Sequence, residues 1–211
     1  MSERHIFRDV ASFERRLALP DGFYERLLKE DDWSFVIKLN ALFEAACAHA
    51  LVTRLAAPEL IDQFARLELA DRDRGKVKFL STLGCISDEQ ATFLRRLAEL
   101  RNALAHDVSQ VSFTFVAYVS GLDSNQRKQL AKVFGHGCND PIPIEGKKIP
   151  LAKFAAENMK LVIWLTAAEV LACLYLEYEI AEIRLKAAAL DAYWRSVVEP
   201  SVGLLSEQAA R

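Results

Sequence analysis

Apolar residues recur along most of this chain at spacings of three and four, the period of a helix with a buried stripe. Residues 1–20 read as a mixed helix ending at Pro20, and Asp21 to Lys29 as a short helix capped by Asp21. Asp31-Asp32 opens the next element. From Trp33 to Leu55 there is neither Gly nor Pro, and apolar residues crowd most faces, which predicts a central, mostly buried helix. Pro58 suits the first turn of a helix reaching about Leu69, followed by a charged turn over Asp71 to Arg74. Lys76 to Leu83 then reads as a helix stopped by Gly84. Ser87 with Gln90 three residues on matches a capping box. The helix it opens carries Phe93, Leu94, Leu97, Leu100 and Leu104 on its apolar side and ends near His106 or Asp107.

Beyond that point the pattern loosens. Val111 to Val119 has the β-branched and aromatic residues of a strand, but its helical neighbours favour a helix. Asp123 caps a short helix to about Phe134. Gly135 to Pro150 holds three Gly and three Pro and reads as a loop whose PIPIEGKKIP stretch forms a small hairpin turning at Glu145-Gly146. From Leu151 to Glu199 neither Gly nor Pro occurs, so the segment is one very long helix or two with a hidden break. Its first half is apolar. Its second half alternates charge through Glu177, Glu179, Glu182, Arg184 and Lys186, as an exposed or subunit-bridging helix would. The expected architecture is an all-α bundle in one domain, 1–211, with a core over 33–134 and 151–199, a loop or hairpin insertion at 135–150 and a long C-terminal helix.

Composition narrows the function classes. A chain of 211 residues, 52% hydrophobic, is long enough for one large core. Eight Gly and six Pro are too few for an all-β or disordered chain. A net charge of −2 gives no global field toward nucleic acid or membrane, so any RNA contact needs a local patch. Cys47, Cys85, Cys138 and Cys173 stand far apart without a CxxC pair, which fits a reducing, cytoplasmic setting. Met1 to Val10 is charged and lacks the apolar run of a signal peptide. Leu161 to Leu176, the most apolar stretch, carries Glu169 and reads as a core helix rather than a membrane span.

The chemistry concentrates in Arg101-Asn102-Ala103-Leu104-Ala105-His106. At about 100° per residue, Asn102 and His106 stack on one helix face, with Arg101 about 140° from His106 and about 7.5 Å along the axis. A fixed cation, an amide and a base that titrates near neutral pH on one broad edge suit a phosphate-cleaving site. An Arg and a His near a helix C-terminus equally suit the macrodipole and the free carbonyls there. Glu44 is the one acid between Trp33 and Leu55 and needs a cationic partner in so apolar a helix; Arg101 is the expected one.

This arrangement resembles the HEPN superfamily, whose signature is an Arg, four to six residues, then a His, here Arg101 and His106 with Asn102 in the usual polar slot. The flank of Lys78-Phe79-Leu80, Leu83-Gly84, Ile86-Ser87 and Leu100-Arg101-Asn102 resembles the mannitol-operon-repressor branch of helical proteins, over roughly residues 75–108. Leu42-Phe43-Glu44 resembles the apolar-apolar-Glu seen early in such bundles. The resemblance implies a HEPN-like helical bundle that cleaves RNA without metal or cofactor at a homodimer interface. His106 would move protons and Arg101 hold the phosphate. Asn102 would orient the imidazole or hydrogen-bond the phosphate, and Glu44 would support the set. It also admits a toxin, defence or stress role with an antitoxin partner, or a non-catalytic regulatory role through a protein partner. Several ribonuclease members carry an aromatic hydroxyl two residues past the His, where this chain has Val108.

Other residues offer less. His136-Gly137-Cys138 has two donors but no second pair to complete four metal ligands. His49 lies in the apolar helix and reads as a core residue. Arg95-Arg96 and the six basic side chains of 121–153 form either a modest RNA-facing patch or a solvated surface. Trp33, Trp164 and Trp194 lie on apolar stripes and read as core or interface.

Overall fold

The computed structural model describes residues 6–199, apart from the Val108 side chain; the first five positions of the charged N-terminal stretch lie outside the described residues. The helices are α1 (Ile6–Arg16), α2 (Phe23–Arg26), α3 (Asp32–Arg54), α4 (Ile61–Arg66), α5 (Lys76–Thr82), α6 (Asp88–Ala105), α7 (Phe115–Ser120), α8 (Ser124–Phe134) and α9 (Leu151–Tyr193). Two strands, β1 (Ile142–Ile144) and β2 (Lys147–Ile149), pair antiparallel with Ile142 opposite Ile149. Glu145 and Gly146, both at positive φ, make the turn between them, so the 135–150 insertion is a hairpin. The class is all-α.

The two most apolar helices form the centre. α3 is buried on most faces, from Phe35 to Val52, because it packs against α9, α6, α5 and α4 at once. Asp31 caps it by accepting from the Ser34 amide at 2.8 Å. α9 packs on α1, α3, α8 and α7. Phe43 meets Phe93 edge-on at 5.9 Å, and Phe93 meets Phe134 the same way, tying α3, α6 and α8 together. By length and composition Asp32–Arg54 and Leu151–Val198 could each cross a bilayer; 67% of either apolar window is buried inside the fold.

Several expectations change in the fold. Buried Val10, Phe13, Tyr24 and Leu27 extend the core beyond 33–134 and 151–199, because α1 and the turn at Leu27–Lys29 pack on α9 and Tyr24 stacks on Trp164. Trp164 stacks between Phe7 and Tyr24, at 5.0 and 5.1 Å, and its indole N–H donates to the Tyr24 carbonyl at 3.0 Å. The helix from Ile183 to Val197 is exposed, as its alternating charge leads one to expect, and Trp194 lies outside the core. The first helix stops at Arg16 rather than Pro20, where Ala18 turns to positive φ. Asp21 does not cap α2; Gly22, at φ 68°, occupies that position, and Leu27–Lys29 continues as a 3₁₀ turn. The Pro58 helix is a 3₁₀ turn followed by α4, which ends at Arg66, where the Lys76 ammonium donates to the Ala65 and Leu67 carbonyls. Val111 to Val119 divides into a 3₁₀ segment, Val108–Ser112, and α7, whose first amide donates to Asp32 Oδ2 at 2.9 Å. The hidden break in the last helix is at Asn158 (φ −130°, ψ 36°). Its side-chain amide donates to the Phe154 carbonyl at 3.2 Å, competing with the backbone ladder at the kink.

Candidate functional site

α6 presents the six-residue motif. The capping box fixes where the helix begins: the Gln90 amide donates to Ser87 Oγ at 3.2 Å and the Ser87 amide to Gln90 Oε1 at 2.9 Å. Eighteen residues later the helix closes with His106 as its C-terminal cap. Trp33 locks this end to α3 by donating from Nε1 to the Leu104 carbonyl at 3.3 Å. Leu100 and Leu104 are buried, so the motif's polar members turn outward, with Asn102 and His106 exposed and Arg101 half-buried.

They turn into an open cleft of about 520 Å³ whose lining includes Arg101, Asn102, His106 and Glu44. All four residues singled out in the sequence thus meet in one place. Arg101 Nη1 donates to Asn102 Oδ1 at 2.9 Å, and Arg101 Nη2 lies 3.8 Å from Glu44 Oε1. Both members of that ion pair are more than a third exposed. At such distance and exposure the pair contributes at most about 1 kcal/mol, so the guanidinium can exchange Glu44 for a bound anion at small cost. Glu44 is held independently by Asn40, whose Nδ2 donates to Oε1 at 2.9 Å.

The opposite wall, residues 65–72, was not foreseen in the sequence. Lys76 is fully buried and donates from Nζ to the Ala65 carbonyl at 3.1 Å and the Leu67 carbonyl at 2.7 Å. Its desolvation lowers the ammonium pKa, partly offset by nearby Glu44. Asp71 closes the adjoining turn by accepting from the Asp73 and Arg74 amides at 2.9 and 2.7 Å. Those bonds hold its carboxyl below the usual carboxylate range. The expected charged turn is therefore present, and Asp71 and Arg72 form part of the cleft rim. The available signals were slight: a lone cation between Gly75 and Val77, and an amide one turn before Glu44.

Among the lining residues, Arg66, Arg72 and Arg95 stand beside Arg101, and Glu68, Asp71 and Glu99 beside Glu44. The acids are partly committed, Asp71 to its turn and Glu99 to Arg96 at 2.7 Å. The cleft therefore offers cations for a polyanion while its net charge stays near balance. The basic residues of 121–153 do not line it.

His136 lies elsewhere. Its Nε2 faces Glu169 Oε2 at 3.3 Å, off the line of a hydrogen bond, and neither atom has another partner. Glu169 Oε1 accepts from Gln90 Nε2 at 2.8 Å and from Cys173 Sγ at 3.3 Å. Burial opposes the charge on both groups. The carboxylate and the Val133 carbonyl nonetheless raise the His136 pKa, and the imidazole, amide and thiol lower that of Glu169. Cys138 approaches Thr166 rather than another metal donor, at 3.9 Å. Among the described residues no three His, Cys, Asp or Glu side chains are grouped to hold a metal ion. His49 is half-buried, and desolvation lowers its pKa.

Compared with known proteins, the chain matches no family model, no curated protein and no solved structure.

Proposed function

We propose that this chain is a metal-independent endoribonuclease of the HEPN type, acting as a homodimer in a cytoplasmic toxin, defence or stress system. The observation that carries the reading is the convergence of Arg101, Asn102, His106 and Glu44 on one open cleft. A chain with these residues placed only to cap a helix has no need of such a cleft.

The chemistry follows from the side chains. His106, exposed at the helix end, takes the proton from a ribose 2′-hydroxyl as that oxygen attacks the adjacent phosphorus, or gives one to the departing 5′-oxygen. The second copy's His106 supplies the other transfer. Arg101 moves from Glu44 to the phosphoryl oxygens and carries the added charge of the transition state through its planar fork. Asn102, one turn before His106, keeps the guanidinium on the cleft side. Glu44, braced by Asn40, returns Arg101 to its resting position when the product leaves.

The test is cleavage of mixed RNA in EDTA by the full chain, compared with His106→Ala and Arg101→Ala. Cleavage that falls about 100-fold or more in both variants supports the reading. No cleavage, or cleavage indifferent to His106, removes it. A second reading, a non-catalytic regulatory protein acting through a protein partner such as an antitoxin, draws on the bonds Arg101 already makes to Asn102 and Glu44 within its own chain. In that case Arg101→Ala lowers stability or partner affinity and no RNA is cut.

A further inference from the structure

The last part of α9 leaves the body of the protein as an exposed arm. On its way out it is braced by α1. Arg16 of α1 donates to the Tyr178 hydroxyl at 3.0 Å and pairs with Glu182 at 3.0 Å. The other flank carries apolar residues in a fixed rhythm: Leu176, Ile180, Ile183, Ala187, Leu190 and Trp194, spaced four, three, four, three, four. At about 100° per residue the first five fall within about 40° of one line, and Trp194 opens the π-helical turn, Trp194–Val198, that follows. Ile183, Leu190 and Trp194 are 65%, 68% and 55% exposed. A sustained alternation of three and four is the seam of a left-handed coiled coil, not the broader stripe of a helix packed on a globular core.

The charges beside the seam select its occupant. Glu179 and Lys186 fall on one shoulder, and Arg184 and Asp191 on the other. In a parallel, in-register pair, each shoulder residue meets the residue five positions later on the second helix. Glu179 then meets Arg184 of the second copy, and Lys186 meets Asp191, so both contacts are attractive and each occurs twice. An antiparallel pair centred on the same segment sets Lys186 against Lys186. We propose that the seam binds the same seam of a second copy of this chain, parallel and in register, as a short coiled coil.

This proposal stands apart from the nuclease reading. The arm emerges near Cys85, which senses Glu177 and Arg184. His106 lies at the other end of α3, where Trp33 binds the Leu104 carbonyl. Arm variants therefore leave the cleft untouched: a dimer indifferent to Leu190→Glu removes the seam alone, loss of RNA cleavage in His106→Ala bears on the cleft alone, and a monomeric parent removes both.

Sedimentation equilibrium of the full chain tests it, with circular dichroism to check folding. The parent is expected to be dimeric, and Leu190→Glu, at an exposed position, to weaken the dimer about tenfold or more with unchanged helicity. Lys186→Glu weakens it several-fold, and Lys186→Glu with Asp191→Lys restores it. Leu190→Cys gives an oxidised cross-linked dimer that the parent chain does not form. A monomeric parent, or a dimer indifferent to Leu190→Glu, overturns the seam. Cross-linking of Ile183→Cys to Leu190→Cys, with none between two Leu190→Cys chains, overturns the parallel register.

Discussion

Replacing Gly75 with alanine sets two effects of opposite sign against each other at the foot of the cleft wall. Gly75 has φ −73° and ψ 157°, a conformation open to every L residue. On backbone grounds alone, Ala restricts the unfolded chain and stabilises by about 0.4–1 kcal/mol. The tertiary structure reverses this. A Cβ at Gly75 would lie 2.5 Å from the Asp71 carbonyl oxygen, 2.6 Å from the Asp71 nitrogen and 3.0 Å from the Leu69 carbonyl oxygen. None of these atoms can swing aside. The Gly75 amide donates to the Asp71 carbonyl at 3.0 Å, the Lys76 amide to Glu68 and the Val77 amide to Leu69. Overpacking costs about 1–3 kcal/mol, and a clash with pinned backbone sits at the upper end. The net expectation is a loss of about 2 kcal/mol, a fall in melting temperature of about 4–8 °C for a domain of this size. Thermal unfolding followed by circular dichroism measures it. Hydrogen exchange should quicken at the amides of Gly75, Lys76 and Val77. Gly84→Ala is the control: φ is 69° with nothing within 4 Å of the added Cβ, so only the left-handed backbone penalty of about 1 kcal/mol applies. A Gly75→Ala variant as stable as the parent would refute the steric argument.

Three further outcomes follow from other contacts. The raised His136 pKa makes its contribution full below about 6.5 and lost as pH rises through the folded value; the lowered Glu169 pKa makes its contribution full above about 4.5 and lost as pH falls. His136→Ala should therefore cost about 2 kcal/mol near pH 5.5 and less at pH 8.5, and urea titrations giving the same loss at both values would sink the ion-pair account. Lys76→Met should destabilise by about 2 kcal/mol, because two carbonyls in the cleft wall lose their donor while a costly buried charge is relieved; an unchanged urea midpoint would show that solvent replaces the ammonium. Ser87→Ala should cost about 1 kcal/mol by removing half of the capping box, measured as a fall in melting temperature, and a neutral result would mean that the Gln90–Glu169 bond alone holds the start of α6.

Local signals carried much of the architecture. Asp31, Ser87 and Asp123 announce helix starts through side chains that bond amides two or three residues away, and those bonds form in the fold. Glu145-Gly146 marked the hairpin because its turn needs positive φ at both residues. The motif's placement at the end of α6 was legible for the same reason, since helical spacing alone puts Asn102 and His106 on one face. The meeting of Glu44 with Arg101 rested on one rule, that an acid in an apolar helix seeks a cation, and α3 and α6 pack so that the two approach.

What distance along the chain conceals, only packing could decide. Lys76 looked like an ordinary first residue of a helix; it is buried because α4 ends over it and leaves two carbonyls that need a donor. Asp21 lost its capping role to Gly22 because the Tyr24 amide bonds Glu14 of α1, a partner ten residues away. Helical periodicity records which faces are apolar but not which neighbour covers them. Hence α1 joined the core through Val10 and Phe13, while Leu190 and Trp194, equally apolar, were left in solvent. The cleft is likewise a product of three segments, α3, α6 and residues 65–72, whose approach depends on the side-chain volumes between them.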